Sequence, residues 1–457
     1  MAPAEGPPPV PRRRAPRRPH HRARTAAAGG AILLLVLIAA AAAAAHLLRA
    51  RGPYEVRLGL IAGSAWSVPN PTANRLYDGL IADFRARHPE YSISYRSGVR
   101  TQDYSERLAQ DILRGEEPDL FFILPEDFTT LASTGALADL EPYLERGDID
   151  PLSFYGNALS AGRLGATQYA LPFEVVPSLM FANMTLLRKL GLEEPDPSWR
   201  WEDFLALAER ATADSDGNGS LDTFGSGGWT WLDAAYSNGE LLFDPAGSSA
   251  ALDKDGVIDA VDFFLRLAAL TQGTLVPDFE SGRVLFAPFL YSSYRAYRYY
   301  PYSIQRFGNF EWRALPMPRG PNGRNAVELK VLLIGMSRRS PRKAAAWEVL
   351  KHLTTDEEAA YRILANSQGL PARRDALFTD RAGEIMRRHI SGTEEPLNPA
   401  MLDRVVRDSI VVPRFRKHAA ALETASRAIM AERPQSASSL RNFLSRLDRA
   451  VNAFLKE

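Results

Sequence analysis

Apolar and other residues alternate at Val56, Leu58 and Leu60 within YEVRLGLIAG, a two-residue period that predicts a strand ending by Gly63. The period lengthens over Ala73–Arg87, where Leu76, Leu80, Ile81 and Phe84 share one face of a helix. Ile93 and Tyr95 mark a second strand, and Tyr104–Leu113 reads as a second helix. Leu120–Leu124 (LFFIL) is apolar throughout and follows Pro118-Asp119, which suits a central parallel strand covered on both faces. Strands and helices in alternation predict an α/β sheet with right-handed crossovers. Further helices are predicted over Trp201–Ala213, with Phe204, Leu205, Ala208 and Ala211 inward, and over Gly256–Leu270. Near the end, Leu440, Phe443, Leu444, Leu447, Val451 and Leu455 form one apolar stripe. These stripes read as packing faces.

The N-terminal 48 residues follow another logic. Residues 1–30 are rich in Pro, Ala and Arg and carry seven arginines against Glu5 alone, the composition of a disordered basic tail. The run AILLLVLIAAAAAAAHLL at 31–48 comes next, slightly shorter than the ~20 apolar residues of a typical spanning helix. Arginines before it predict a cytoplasmic tail and an external body. A cleaved secretory signal ending at Ala43-Ala44-Ala45 is the competing reading. The length of the basic region and of the apolar run favours a retained transmembrane anchor.

The chain has 457 residues, 46% hydrophobic and 24% charged, an ordinary globular composition long enough for two lobes. With the basic tail set aside, a net charge of +1 leaves an acidic body, which argues against nucleic-acid binding by the folded part. Cysteine is absent, which excludes disulfides, thiolate metal sites, a cysteine nucleophile and lipid attachment through cysteine.

Three stretches in order carry a resemblance. They are EEPDLFFILPEDFTTLASTGALADLEPYL at 116–144, YALPFEVVPSLMFANMTLLRKLGL at 169–192 followed by PSWRWEDFLALAERAT, and Leu315–Leu377 with LPMPRGPNG, VLLIGMSRRSPRKAAAWEVLKHLTTDEE and GLPARRDAL. From about Tyr54 onward the chain resembles the sugar-class extracellular solute-binding proteins of ABC importers. Ala182 stands where that family often has tyrosine, and Glu328-Leu329-Lys330 where a glycine pair is common. The resemblance implies an α/β, two-lobed periplasmic-binding-protein-like fold with a ligand cleft between the lobes. It implies crossings near Leu171–Pro177, Val284–Phe289 and Glu328–Ile334, and hinge closure on the ligand. The first lobe is then 54–172 with 290–328, and the second 177–284 with 334–457. The implied partners are a small molecule, a sugar or oligosaccharide, and ABC permease subunits, with the membrane engaged through 31–48.

A sugar offers apolar ring faces and hydroxyls, so its site needs flat aromatics beside fixed donors and acceptors. By position in the resemblance the candidates are Trp66 after the first strand, Glu126 and Asp127 after the third, Glu174 at the first crossing, Trp229, Trp231 and Tyr236 in GGWTWLDAAYSNG, Tyr291 after the second crossing and Arg414 in VVPRFRK. Each has a plainer reading. Either tryptophan of the second lobe fits a core position, and Glu126 or Asp127 fits a helix cap. Glu174 sits between Phe173 and Val175, where a carboxylate needs a partner.

In ADSDGNGSLDTFG, Asp214, Asp216, Asn218, Ser220 and Asp222 take positions 1, 3, 5, 7 and 9 of an EF-hand-type loop, with Gly219 at the turn. Oxygen ligands at alternate residues wrap a hard cation, calcium by type. Position 12 is Gly225, where the bidentate glutamate belongs, and an Asx-rich turn is the plainer reading. No G-x-x-x-x-G-K-[ST], H-E-x-x-H or G-x-S-x-G occurs. The sequence reads as a binding protein, not an enzyme. A membrane-anchored sensor and a glycan-processing enzyme on the same scaffold are the rival readings.

Overall fold

The computed structural model describes residues 54–96, 98–297, 309–388, 397–434 and 436–457. The basic tail and the apolar run at 31–48 lie outside them. Among the described residues no helix is long and apolar enough to cross a membrane.

The strands are β1 (Tyr54–Gly59), β2 (Tyr91–Arg96), β3 (Leu120–Ile123), a short β4–β5 hairpin (Arg163–Leu164 and Thr167–Gln168), β6 (Ala170–Asn183), β7 (Phe224–Ser226), β8 (Val284–Leu290), β9 (Trp312–Leu315), β10 (Leu329–Met336) and β11 (Leu370–Pro371). The main sheet runs β2-β1-β3-β10-β6-β8-β7, with β9 and β11 also paired to β6. β1 and β3 are parallel, as the unbroken LFFIL run predicts, and all of β3 is buried. β10 then enters antiparallel between β3 and β6, pairing Ile334 with Phe122 on one side and with Leu171 on the other. The helix over Ala73–Arg87 falls where the periodicity puts it, burying Leu76, Leu80, Ile81 and Phe84.

β6 organises the body. Its first half pairs with β10 and β11, and its second half, from Ser178, pairs with β8 and β9. Two apolar cores meet along it. The first gathers Val56, Phe121, Phe122, Phe173, Val175, Ile334 and Trp347. The second gathers Met180, Ala182, Phe204, Trp231, Val261, Phe264 and Leu444. Side chains alternate across a strand, so Phe181 joins the first core while Met180 and Ala182 join the second.

The cores divide the C-terminal half differently from the expected lobes. Residues 335–408 stay with the first core. The helices Lys343–Thr355 and Glu357–Asn366 pack against helix Ala73–Arg87, where Arg362 Nη2 meets Asp83 at 2.7 Å. Helix Pro399–Asp408 packs on β6. Only at the bridge between Ile410 and Glu328 does the chain return, and helices His418–Glu432 and Ala437–Lys456 then fill the second core. In the stretch expected to be first-lobe, 290–328, helix Tyr291–Tyr297 does pack with the first core, but β9 pairs with the far half of β6. The cause is β10: a strand buried on both faces has the same apolar sequence in either lobe, so its address was not legible. A fourth passage, at Ser409–Ile410, is a single bridge to Glu328 with no strand pattern to mark it.

Candidate functional site

The carboxyl ends of parallel strands leave loops free to carry ligand-reading groups. β1 and β3 end toward Trp66 and Asp127, and β7 and β8, also parallel, end toward the Trp229 loop and Tyr291. β6 passes between the two sets, with Ser178 opposite Leu290. The junction of the two cores runs along β6, between these two sets of strands.

Glu174 lies at its centre, 2% exposed. Its Oε1 accepts a hydrogen bond from Trp66 Nε1 at 2.8 Å and another from Ser367 Oγ at 2.7 Å. Burial raises its carboxyl to about 6, against the lowering effect of Ser367, Trp66, the Gly369 N–H and Arg295. The partner that a carboxylate between Phe173 and Val175 requires is thus a set of donors from remote segments. Gly369 is a glycine for a steric reason, since a Cβ there would lie 2.2 Å from Glu174 Oε1. Tyr77 is buried nearby, and burial first, then the charge of Glu174, pushes its phenol above its usual range.

Of the other first-lobe candidates, Glu126 is exposed. Asp127 occupies the cap position of helix Phe128–Ser133 but makes no cap bond, and its carboxylate instead accepts Ser105 Oγ at 2.6 Å. Burial raises its carboxyl, the Ser105 bond opposes this, and the charge of Glu126 adds to it.

On the second side both expected platform indoles are buried. Trp229 packs edge-on to Phe204, centroids 5.1 Å apart, and is 6% exposed. Trp231 is 2% exposed, and its Nε1 donates to Ser426 Oγ at 2.9 Å. Both indoles belong to the second core, Trp231 on the inward side of helix Trp231–Ser237 and Trp229 just ahead of it. Tyr291 is buried and stacks with Tyr294 at 5.8 Å. Tyr236 keeps its ring in the core, and burial raises its phenol, with the charge of Glu328 adding and that of Arg414 opposing. Arg414 forms an ion pair with Glu328.

Two acids missed in the sequence complete this group. Asp233 accepts the Thr230 N–H at 2.9 Å and Thr230 Oγ1 at 2.7 Å, and burial raises its carboxyl to about 6. Glu328 had registered only as a departure from a glycine pair. Its carbonyl accepts Ser178 Oγ at 3.4 Å, which ties this polar group to β6. In T-W-L-D, the spacing of Thr230 and Asp233 is the capping-box signal that could have located Asp233.

The oxygen-rich loop folds with one carboxylate oxygen each from Asp214, Asp216 and Asp222 within 4.8 Å of one another. Asp214 accepts the N–H groups of Gly217 at 2.8 Å and Gly219 at 2.7 Å, and the Gly219 bond holds it below the usual carboxylate range. Asp222 is held low first by Ser215 Oγ. Asn218 Oδ1 accepts the Ser220 N–H at 2.8 Å. Three ionised carboxylates suit a hard cation. The twelfth position cannot supply a ligand, because a Cβ on Gly225 would lie 2.2 Å from Ala208 Cα.

A family model described as bacterial extracellular solute-binding protein matches residues 69–360, and the chain belongs to that family. Among solved structures, the cyclic α-maltosyl-1,6-maltose binding protein of Arthrobacter globiformis superposes with a TM-score of 0.71 at 17% identity, covering 89% of this chain and 100% of its own. The sugar-binding protein MalE of Xanthomonas citri gives 0.68 at 17%, covering 88% and 97%. The ABC substrate-binding protein Lmo0181 of Listeria monocytogenes, solved with cycloalternan, gives 0.62 at 20%, covering 87% and 99%. The fold is the mixed α/β architecture of the two-lobed binding proteins.

The packing of the two second-lobe indoles yields a prediction. Trp229→Ala and Trp231→Ala should each lower unfolding free energy by roughly 3–5 kcal/mol. Ligand affinity of the remaining folded protein should stay nearly unchanged. Denaturant unfolding with calorimetric titration checks this, and an affinity loss without destabilisation would return these indoles to the site.

Proposed function

We propose that this protein captures an extracellular carbohydrate and delivers it to an ABC-type importer by hinge closure at the junction along β6. The observation that carries the reading is a pair of polar groups on either side of β6, Trp66 with Glu174 on one and Asp233, Tyr236, Glu328 and Arg414 on the other, in a chain of the solute-binding family. Carboxylates and a guanidinium accept and donate to sugar hydroxyls, and ring faces match the apolar face of a pyranose. The sugar ligands named for the structural relatives support the same class.

A thermal-shift screen of the full chain tests the ligand class, with maltodextrins, cyclic glucans, monosaccharides, polyols and glycerophosphodiesters as probes. A carbohydrate at 100 times its Kd should stabilise the protein by about 2.7 kcal/mol. Stabilisation by a glycerophosphodiester alone, or by none of them at millimolar concentration, would overturn the carbohydrate reading.

The body faces outward and the run at 31–48 holds it as a single-pass anchor; the arginines before that run support this orientation. Protease added to intact cells should remove the body, while a mature N-terminus just after Ala45 would identify a cleaved signal instead.

The loop at 214–222 holds calcium as a structural ion through Asp214, Asp216 and Asp222, with Asn218 and Ser220 at the intervening ligand positions. The ion neutralises three clustered carboxylates. Calcium should raise the melting temperature of the full chain and Asp216→Ala should abolish the rise; the absence of any calcium-dependent shift at millimolar metal would dispose of the site.

A further inference from the structure

Helix Tyr291–Tyr297 begins where β8 ends, so it sits directly at the second crossing. It carries Arg295, which is 4% exposed. A buried guanidinium is tolerated only where its donors find acceptors. Arg295 Nη2 donates to Leu364 O at 2.7 Å and to Ser367 O at 3.2 Å. Those carbonyls belong to the last turn of helix Glu357–Asn366 and the residue capping it, groups the helix itself leaves unsatisfied. The arginine thus clamps the beginning of the turn Asn366–Gly369 from the crossing side.

The other side of that turn holds the Trp66 loop at three places. Thr72 Oγ1 donates to Asn366 O at 2.8 Å. Gln368 Nε2 donates to Pro69 O at 3.1 Å. Ser367 Oγ and Trp66 Nε1 share Glu174 Oε1. The loop from Ser64 to Thr72 is also fixed by its Trp66 indole, 6% exposed in the first core, and by local bonds of Ser64 Oγ to the Trp66 N–H at 3.0 Å and of Asn70 Oδ1 to the Thr72 N–H and hydroxyl. Its remaining long-range tie is Thr101 Oγ1 to Ser64 O. The same four-residue turn is therefore held by the crossing helix on one side and holds the Trp66 loop on the other.

We infer that Arg295 is a positioning residue for ligand capture: it sets the Asn366–Gly369 turn, and the turn sets the loop that carries Trp66, so that movement at the second crossing reaches the first-lobe half of the site. The inference rests on the reading of the junction as the ligand site. It adds a route by which hinge motion and ligand contact are linked, and it assigns Arg295, Ser367 and Gln368 to that route. Both described bonds of Arg295 leave from one nitrogen, so a lysine ammonium can replace them in part, whereas methionine cannot.

The test uses the full chain with its seven tryptophans labelled as 5-fluorotryptophan, Trp66 being identified by loss of its fluorine resonance in Trp66→Phe. Arg295→Met and Ser367→Ala should each displace the Trp66 resonance and leave the other six in place, and Arg295→Lys should lie closer to the wild-type position. Loss of stability alone would not move a folded-state resonance. If Arg295→Met fails to fold, Arg295→Lys decides, because Ser367→Ala removes only the hydroxyl on Glu174 and leaves the carbonyl that Arg295 holds. A Trp66 resonance unmoved in the folded variants overturns the inference. Maltotetraose is then added. Wild-type binding with affinity weakened on the order of tenfold in Ser367→Ala supports both readings. A displaced Trp66 resonance with no response to any carbohydrate leaves the relay standing and sinks the carbohydrate reading; binding with equal affinity in wild type and variants sinks the relay alone.

Discussion

A carboxylate buried at 2% exposure in the middle of a long strand has to be met by donors, and Glu174 is met by donors from two separate segments and by the charge of a third. Trp66 arrives from the loop after β1, Ser367 and the Gly369 N–H from the turn before β11, and Arg295 adds its charge from the crossing helix. Desolvation of an acid costs several kcal/mol when unmet. The arrangement is therefore stable only with all three segments in place, and removal of the side chain at 369 is what lets the turn come close enough. The junction of the cores, the placing of the Trp66 loop and the closing of β11 on β6 all follow from satisfying that one group.

The second side of the junction is built on a different balance. Glu328 and Arg414 pair, while Asp233 serves as a cap, with its carboxyl raised by burial and by the charge of Glu328. Tyr236 packs its ring in the core, and its phenol feels all three charges. These groups adjoin β6 through Ser178, so a ligand spanning the junction would meet an acid anchored by indole and serine on one side and an ion pair with an acid on the other. The two sides differ in rigidity: Glu174 is fixed by remote segments, whereas Asp233 is fixed within its own helix turn.

The type of element was legible from local patterning whether one face is buried or both. The helix over Ala73–Arg87 and the double-sided strand β3 were readable because their patterns have one solution. So was the importance of Glu174, because a carboxylate between Phe173 and Val175 announces a need that the fold must meet. The lobe assignment after Ile334 was not legible, since β10 is apolar on both faces and nothing in its sequence says which sheet it joins. Aromatic enrichment at Trp229 and Trp231 looks alike in a core and in a sugar site, and the rings of Phe204 and Phe263 that face Trp229 carry no sign in the local sequence. Ser367, Gly369 and Arg295 carry no local signal at all. Their roles come from contacts with partners far along the chain, 69 residues away in the Arg295–Leu364 bond and 193 in the Ser367–Glu174 bond.

The dependence of the junction on a buried, desolvated carboxylate is open to direct measurement through proton linkage. The native carboxyl of Glu174 is raised to about 6 from an ordinary value of 4.5, so between these pH values the native state holds a proton that the unfolded chain has released. Its contribution is then fully present below pH 4.5 and is lost as pH rises through 6, by roughly 2 kcal/mol for a shift of this size. Urea unfolding of wild type and Glu174→Gln from pH 4 to pH 7.5 isolates this term, because other groups titrate alike in both. The account predicts that the stability of wild type relative to Glu174→Gln falls by about 2 kcal/mol across that range. A difference that stays flat, or that grows with pH, would contradict it.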